Sequence, residues 1–124
     1  MILLDKMPVA IGHGERYAGL ILGNGEHRSH HVILLPGEAS RVSWQAAHQW
    51  SLERGGDLPT RRELALLLAN RRECFQEGCY WSGEKFSIDS LYAWNQFFCT
   101  GTQYNDHVSN SMMARAIRRV AVEE

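Results

Sequence analysis

Three cysteines, an adjacent histidine pair and two spaced acids are the residues of this chain whose types could support covalent or metal chemistry. Cys74 and Cys79, with Cys99 and His107, supply the donor types of a zinc shell, but structural zinc sites normally combine two close ligand pairs and this chain offers one. His30 and His31 are neighbours, so on a strand they point to opposite faces and cannot chelate one ion together. Each is expected as a satisfied or exposed histidine. Glu73 and Glu77 stand beside Arg71 and Arg72 and read as surface charge, not as an acid/base pair. No Gly-x-Ser-x-Gly elbow, phosphate-binding glycine loop or His-Glu-x-x-His helix occurs. Gly12-His13-Gly14 lacks the flanking strand and helix that would give a glycine pair meaning. No metal and no other cofactor is expected.

Recognition is the chemistry the last third of the chain suits better. From Ala93 to Arg119 the sequence reads as a frame, Ala93-Trp94, Gln96, Phe98, Gly101, Gln103 and Ala114-Arg115-Ala116-Ile117-Arg118-Arg119, with a filling between. The filling is Asn95, Phe97, Cys99, Thr100, Thr102, Tyr104, Asn105, Asp106, His107, Ser109, Asn110 and Ser111. Small, polar and amphipathic residues of this kind make adaptable contacts, whereas catalysis needs a few groups held by a rigid shell. These twelve form the expected ligand-binding surface, with Phe97, Tyr104 and His107 as anchors. Calcium-dependent sugar binding is not expected, because the paired carboxylate and amide ligands of such a site are missing around Asp106. Tyr80, Trp81, Trp94 and Phe98 could line a sugar-stacking groove, but in a domain this small they are assigned to the core.

The elements that must position this surface follow from periodicity. Residues 1 to 14 read as an N-terminal arm and residues 15 to 124 as one domain. Tyr17 to Leu22 and His30 to Leu35 are β-prone runs separated by a loop that opens with Gly23-Asn24-Gly25, so they predict an antiparallel pair. Their apolar continuity requires at least one to be central. Ser43 predicts a helix N-cap, with Trp44, Ala47 and Trp50 on one face and Gly55-Gly56 as the stop. Thr60 and Glu63 have capping-box spacing, followed by the stripe Leu64, Leu67 and Leu68 to about Asn70. Tyr80 to Ser82, Tyr92 to Phe98 and Met112 to Val120 predict three later strands, with a turn region from Gly101 to Ser111. Strands, two helices, then strands make an α+β layout.

Composition bounds the rest. A chain of 124 residues with 44% hydrophobic content and four each of Trp, Tyr and Phe can build one real core. A formal charge of -1, from 13 basic and 14 acidic residues, creates no global field toward nucleic acid. Arg61, Arg62, Arg71 and Arg72 read as the solvated face of a leucine-rich helix. Ala18 to Leu22 and Val32 to Leu35, the longest apolar runs, fall far short of the roughly 18 to 20 residues that span a membrane, so no insertion is expected. Met1 to Leu4 meets Asp5 and Lys6 at once, leaving no secretory h-region, and the odd number of cysteines fits a reducing compartment. Folding in a cytoplasm is expected.

Several of these pieces together carry a resemblance. Gly14-Glu15-x-Tyr17-Ala18-Gly19-Leu20, Leu34-Leu35-Pro36-Gly37, Gly55-Gly56-x-Leu58-Pro59-Thr60-Arg61-x-Glu63, Tyr80-Trp81-Ser82 and the Ala93 to Arg119 frame resemble the C-type-lectin-like domain family of phages, prophages and bacteria. The match covers nearly everything after residue 14. The resemblance implies a C-type-lectin-like fold, shared with formylglycine-generating enzymes and with target-binding proteins diversified by retroelements. In that last group the filling positions vary and form the ligand surface. Adenine-directed mutation of Asn codons excludes Lys, Glu, Gln, Met and Trp, and none of the twelve filling residues is of those types. Val108 and Met113 stand where the family often has a basic residue, and Met112 is outside the reachable set.

The reading that follows is a non-enzymatic binding domain of phage or prophage origin that presents residues 95 to 111 to a protein or glycan, as a monomer or homo-oligomer, with incorporation into a phage particle open. The alternatives are a thiol or copper enzyme using Cys99 with Cys74 or Cys79, and an intracellular inhibitor of a host protein.

Overall fold

A computed structural model describes residues 9–122. The earlier part of the expected arm, residues 1 to 8, lies outside them. In chain order the elements are β1 (Arg16–Ile21), β2 (His30–Leu34), β3 (Ala39–Val42), α1 (Trp44–Glu53), α2 (Arg61–Arg71) with a 3-10 turn at Arg72–Cys74, β4 (Cys79–Lys85), β5 (Tyr92–Phe97), β6 (Gln103–His107), β7 (Met112–Ala114) and β8 (Ile117–Ala121). The layout is α+β with two α-helices, as expected.

The early strands form one sheet. β2 is central in the order β1-β2-β8, antiparallel to both neighbours, and His31 to Leu35 are all buried. This is the covered strand that the apolar continuity requires. The helices start where their caps dictate. Ser43 Oγ accepts from the Ala46 N–H, and Gly55, at φ 78°, follows α1 in the left-handed region. The capping box of α2 is complete, with Thr60 and Glu63 exchanging side-chain bonds to each other's backbone N–H. Leu64 and Leu67 are buried, and Leu68 is partly so.

The later strands depart from expectation. The single strand foreseen from Met112 to Val120 is two strands in two sheets. β7 joins the order β3-β7-β4-β5-β6, and β8 returns to β2. The chain changes sheet at Arg115-Ala116, where Arg115 donates to the carbonyls of Cys74 and Leu35 while the Ala116 carbonyl accepts from the Leu35 N–H. β3 and β6 also stand where no strand was foreseen. β6 spells Gln-Tyr-Asn-Asp-His, of which only Tyr has strong β-propensity, so pairing with β5 and not local preference makes it a strand.

Two buried clusters flank the second sheet, one on each face. Adjacent residues on a strand point to opposite sides, and Tyr80 and Trp81 divide accordingly. Tyr80 joins Val32, Leu34, Leu64, Leu67, Phe98 and Ile117 beneath α2 and the first sheet. Trp81 joins Ala39, Ala47, Leu58, Ala93 and Ala114 beneath α1. Its indole N–H donates to the Val42 carbonyl at 2.9 Å, so the largest fully buried ring leaves no orphan donor. Among the described residues no helix is long and apolar enough to cross a membrane.

Candidate functional site

The frame residues of the last third dock β5 and β6 onto α2. Trp94, Gln96 and Gln103 share the face of the sheet toward that helix, because Trp94 and Gln96 alternate on β5 and Gln96 pairs with Gln103. The Arg61 guanidinium lies 3.6 Å from the Trp94 ring centroid and donates to Gln103 Oε1 at 2.9 Å. Gln103 Nε2 donates to the Arg61 carbonyl and to Gln96 Oε1, and Gln96 Nε2 donates to the Leu64 carbonyl at 2.8 Å. Buried Gln96 thus has both ends of its amide satisfied. Phe98 stacks on Phe75 and meets the edge of Tyr80. Gly101 turns the chain from β5 to β6 at φ 84°, where a Cβ would come within 2.7 Å of Leu68 Cδ2. The helix arginines do more than coat a solvated face: Arg62, Arg71 and Arg72 donate to the carbonyls of Leu22, Tyr17 and Cys99.

On this scaffold the twelve filling residues divide. Cys99, Thr100, Thr102, Tyr104, Ser109, Asn110 and Ser111 are exposed, and Phe97, Asn105, Asp106 and His107 are half-buried. Asn95 is fully enclosed. Strand alternation then separates the partly open ones. Asn95, Phe97, Tyr104 and Asp106 lie on the face that also carries Cys79 and Trp81, whereas Asn105 and His107 lie on the face of Trp94. His107 meets the Tyr92 ring edge-on and bonds Ser109 Oγ at 2.7 Å. The Thr100 and Thr102 hydroxyls bond each other at 2.8 Å in the turn. The three expected anchors therefore do not form one cluster: Phe97 and Tyr104 share a face, and His107 is across the sheet.

Asn95 is the buried member of that first face. Its side-chain amide donates to Asp106 Oδ2 at 2.7 Å, and its Oδ1 is buried without a hydrogen-bond partner. The other Asp106 oxygen reaches solvent and accepts no hydrogen bond from the described residues. Of the four aromatic residues assigned to the core, Tyr80, Trp81 and Phe98 are buried and Trp94 is half-covered by Arg61.

The thiols do not converge on an activated group. All three are free, Cys99 in the exposed turn and Cys74 in the 3-10 turn, while Cys79 stands on β4. Burial, and then the Asp106 carboxylate, push the Cys79 thiol up. That is opposite to what a nucleophilic or metal-binding thiolate needs. Among the described residues no three His, Cys, Asp or Glu gather as a metal shell. His30 bonds Glu63 and His31 bonds Tyr17 from opposite faces of β2, as their adjacency requires. Glu73 faces Arg71 at 3.9 Å.

Two concavities were not foreseen. A groove of about 860 Å³ runs between the β1–β2 loop, the start of α2 and the β5–β6 turn, with Arg28, Arg61, Arg62 and Gln103 in its wall. None of the twelve filling residues lines it, and residues far apart in sequence assemble it. A shallower pocket of about 300 Å³ is lined by Ser40, Arg41, Cys79, Ser111, Met112 and Met113. It adjoins the Phe97 face through Cys79, and its Arg41 holds φ 56°, a strained value for a non-glycine residue. No protein-family model and no curated protein matches the chain.

Proposed function

We propose that this chain is a non-enzymatic target-binding domain whose sheet presents the Phe97, Tyr104 and Asp106 face to a macromolecular partner. The observation that carries the reading is the division of labour between Ala93 and Arg119. Trp94, Gln96, Phe98, Gly101 and Gln103 hold the strands to α2, while eleven of the twelve residues between the frame positions reach solvent. A rigid scaffold with open, chemically mixed side chains suits recognition. The upward push on the Cys79 thiol weighs against the thiol-enzyme reading. The resemblance to the phage and bacterial C-type-lectin-like family supports the same assignment, and with it a C-type-lectin-like fold, a phage or prophage origin and retroelement diversification of the filling.

Binding to an immobilised host-envelope extract tests the proposal. Phe97→Ala with Tyr104→Ala should weaken binding by roughly tenfold or more, the size of effect typical of central aromatic anchors. Asn105→Ala with His107→Ala, on the opposite face, should weaken it less. A folded Phe97→Ala/Tyr104→Ala protein that binds as the unmodified chain does would overturn the proposal.

A further inference from the structure

The groove of about 860 Å³ between the β1–β2 loop, the start of α2 and the β5–β6 turn carries unbalanced charge. Three arginines, Arg28, Arg61 and Arg62, line it against one carboxylate, Glu84, a formal surplus of two positive charges with the histidines neutral. None of the three forms an ion pair with a described residue. The nearby acids are engaged or outside. Glu84 Oε2 accepts from the Arg61 N–H at 2.6 Å, and Glu63, buried at the same helix start, is committed to Arg119, His30 and the Thr60 N–H. Glu26, on the β1–β2 loop, does not line the groove. Two of the guanidinium groups are held in place. Arg61 lies over the Trp94 ring and donates through Nε to Gln103, so its terminal nitrogens have no acceptor among the described residues. Arg62 is pinned through one terminal nitrogen to the Leu22 carbonyl at 3.2 Å, and Arg28 is exposed and bonds no described residue through its side chain. Guanidinium groups fixed beforehand lose less freedom on taking up a carboxylate, which they match in a two-bond fork. Between them the lining turns apolar, with Leu22 64% exposed and Ala65 and Leu68 on α2. An occupant that combines carboxylates with an apolar side chain answers both features. A polynucleotide offers charge but needs rings on which its bases stack. No Phe, Tyr or Trp lines the groove, and Arg61 covers the adjoining Trp94.

We propose that this groove binds an acidic segment of a partner protein, with Arg28, Arg61 and Arg62 on its Asp or Glu side chains and Leu22, Ala65 and Leu68 against an apolar one. Gln96 and Gln103, in the groove wall, share the face of Trp94, so the site lies across the sheet from Phe97 and Tyr104. It is a second surface and does not depend on the Phe97 face binding anything.

NMR titration of the full chain with the peptide acetyl-Glu-Leu-Glu-Glu-Leu-amide tests it, against the same peptide with Gln for every Glu. The acidic peptide should shift the backbone signals of Leu22, Arg62 and Ala65 saturably and leave Tyr104 in place. The Gln peptide should bind roughly fivefold more weakly or worse, and the preference should shrink as salt rises from about 20 to about 300 mM. Arg28→Gln with Arg62→Gln, both exposed, should weaken the acidic peptide by a similar factor. Arg16→Gln with Arg41→Gln removes the same charge from exposed positions outside the groove and should change binding by less than about twofold. The Val122 N–H bonds the Ser29 carbonyl next to Arg28, so both titrations are repeated in Glu123→Gln with Glu124→Gln to keep those carboxylates from competing with the peptide. Equal binding of the two peptides in both backgrounds, or equal losses from the two arginine pairs, would overturn the inference. So would tighter binding of an oligothymidylate of equal charge that moves the same signals.

Discussion

Glu63 is the residue on which most of the fold's electrostatics converge. Its side chain is fully buried, receives two bonds from Arg119 at 2.7 and 2.8 Å, and is bonded by the Thr60 N–H and His30. Burial by itself would raise the carboxyl, but the Arg119 bonds, the Thr60 N–H and His30 reverse this and bring it down to about 2. The folded value lies below the ordinary 4.5, so the stabilisation is complete above that pH and is lost as pH falls toward 2. Urea unfolding between pH 7 and pH 2 should therefore show a steep loss of stability in the acid range. In Glu63→Gln that dependence should flatten, and stability near neutral pH should drop by about 1 to 3 kcal/mol, since the Thr60, His30 and Arg119 donors lose a charged acceptor while Arg119 keeps Asp57. An unchanged acid limb would assign the titration to other carboxylates. The capping-box spacing made the Thr60 contact legible in the sequence. The Arg119 contact was not, because 56 residues separate the partners and only the pairing of β8 with β2 brings them together.

The β5–β6 hairpin shows what an element takes from its neighbours. Its tight turn needs Gly101 at φ 84°, and Leu68 fills the space a Cβ would use. Gly101→Ala should cost about 1 to 3 kcal/mol by thermal denaturation, from backbone strain plus the displaced Leu68. A change within about 0.5 kcal/mol would mean that the turn relaxes freely. Frame and filling could be told apart by residue type alone, and Trp94, Gln96 and Gln103 are indeed fasteners. Their common partner, the first turn of α2, could not be read, since no local pattern ties Gln103 to Arg61. Asn95 was grouped with the filling for the same reason. It is small and polar like its neighbours, yet it stands between Trp81 and Tyr104 on the inner of the two strands and is fully buried.

For the whole molecule, two cores on opposite faces of one sheet make the interior unequal in depth. β2 is central and buried along its length, while β6 is an edge strand with half-exposed side chains. Native-state hydrogen exchange should show the slowest amides in Val32 to Leu34 and clearly faster exchange in the unpaired edge of β6. Equal protection of the two strands would point to a partner or second copy already pairing with that edge.

The local sequence was sufficient wherever one stretch of chain carried both halves of an interaction: the Ser43 and Thr60 caps, the Gly55 stop, the leucine stripe of α2, the antiparallel β1–β2 pair and the opposed His30 and His31. These are short-range stereochemistry and hydrogen bonding. Tertiary structure alone decided that Met112 to Ala121 serves two sheets, that β6 is a strand, and that Phe97, Tyr104 and Asp106 share a face from which His107 is turned away. Each depends on strand register between distant segments, and a side-chain period of two converts a one-residue choice of register into the opposite side of the sheet.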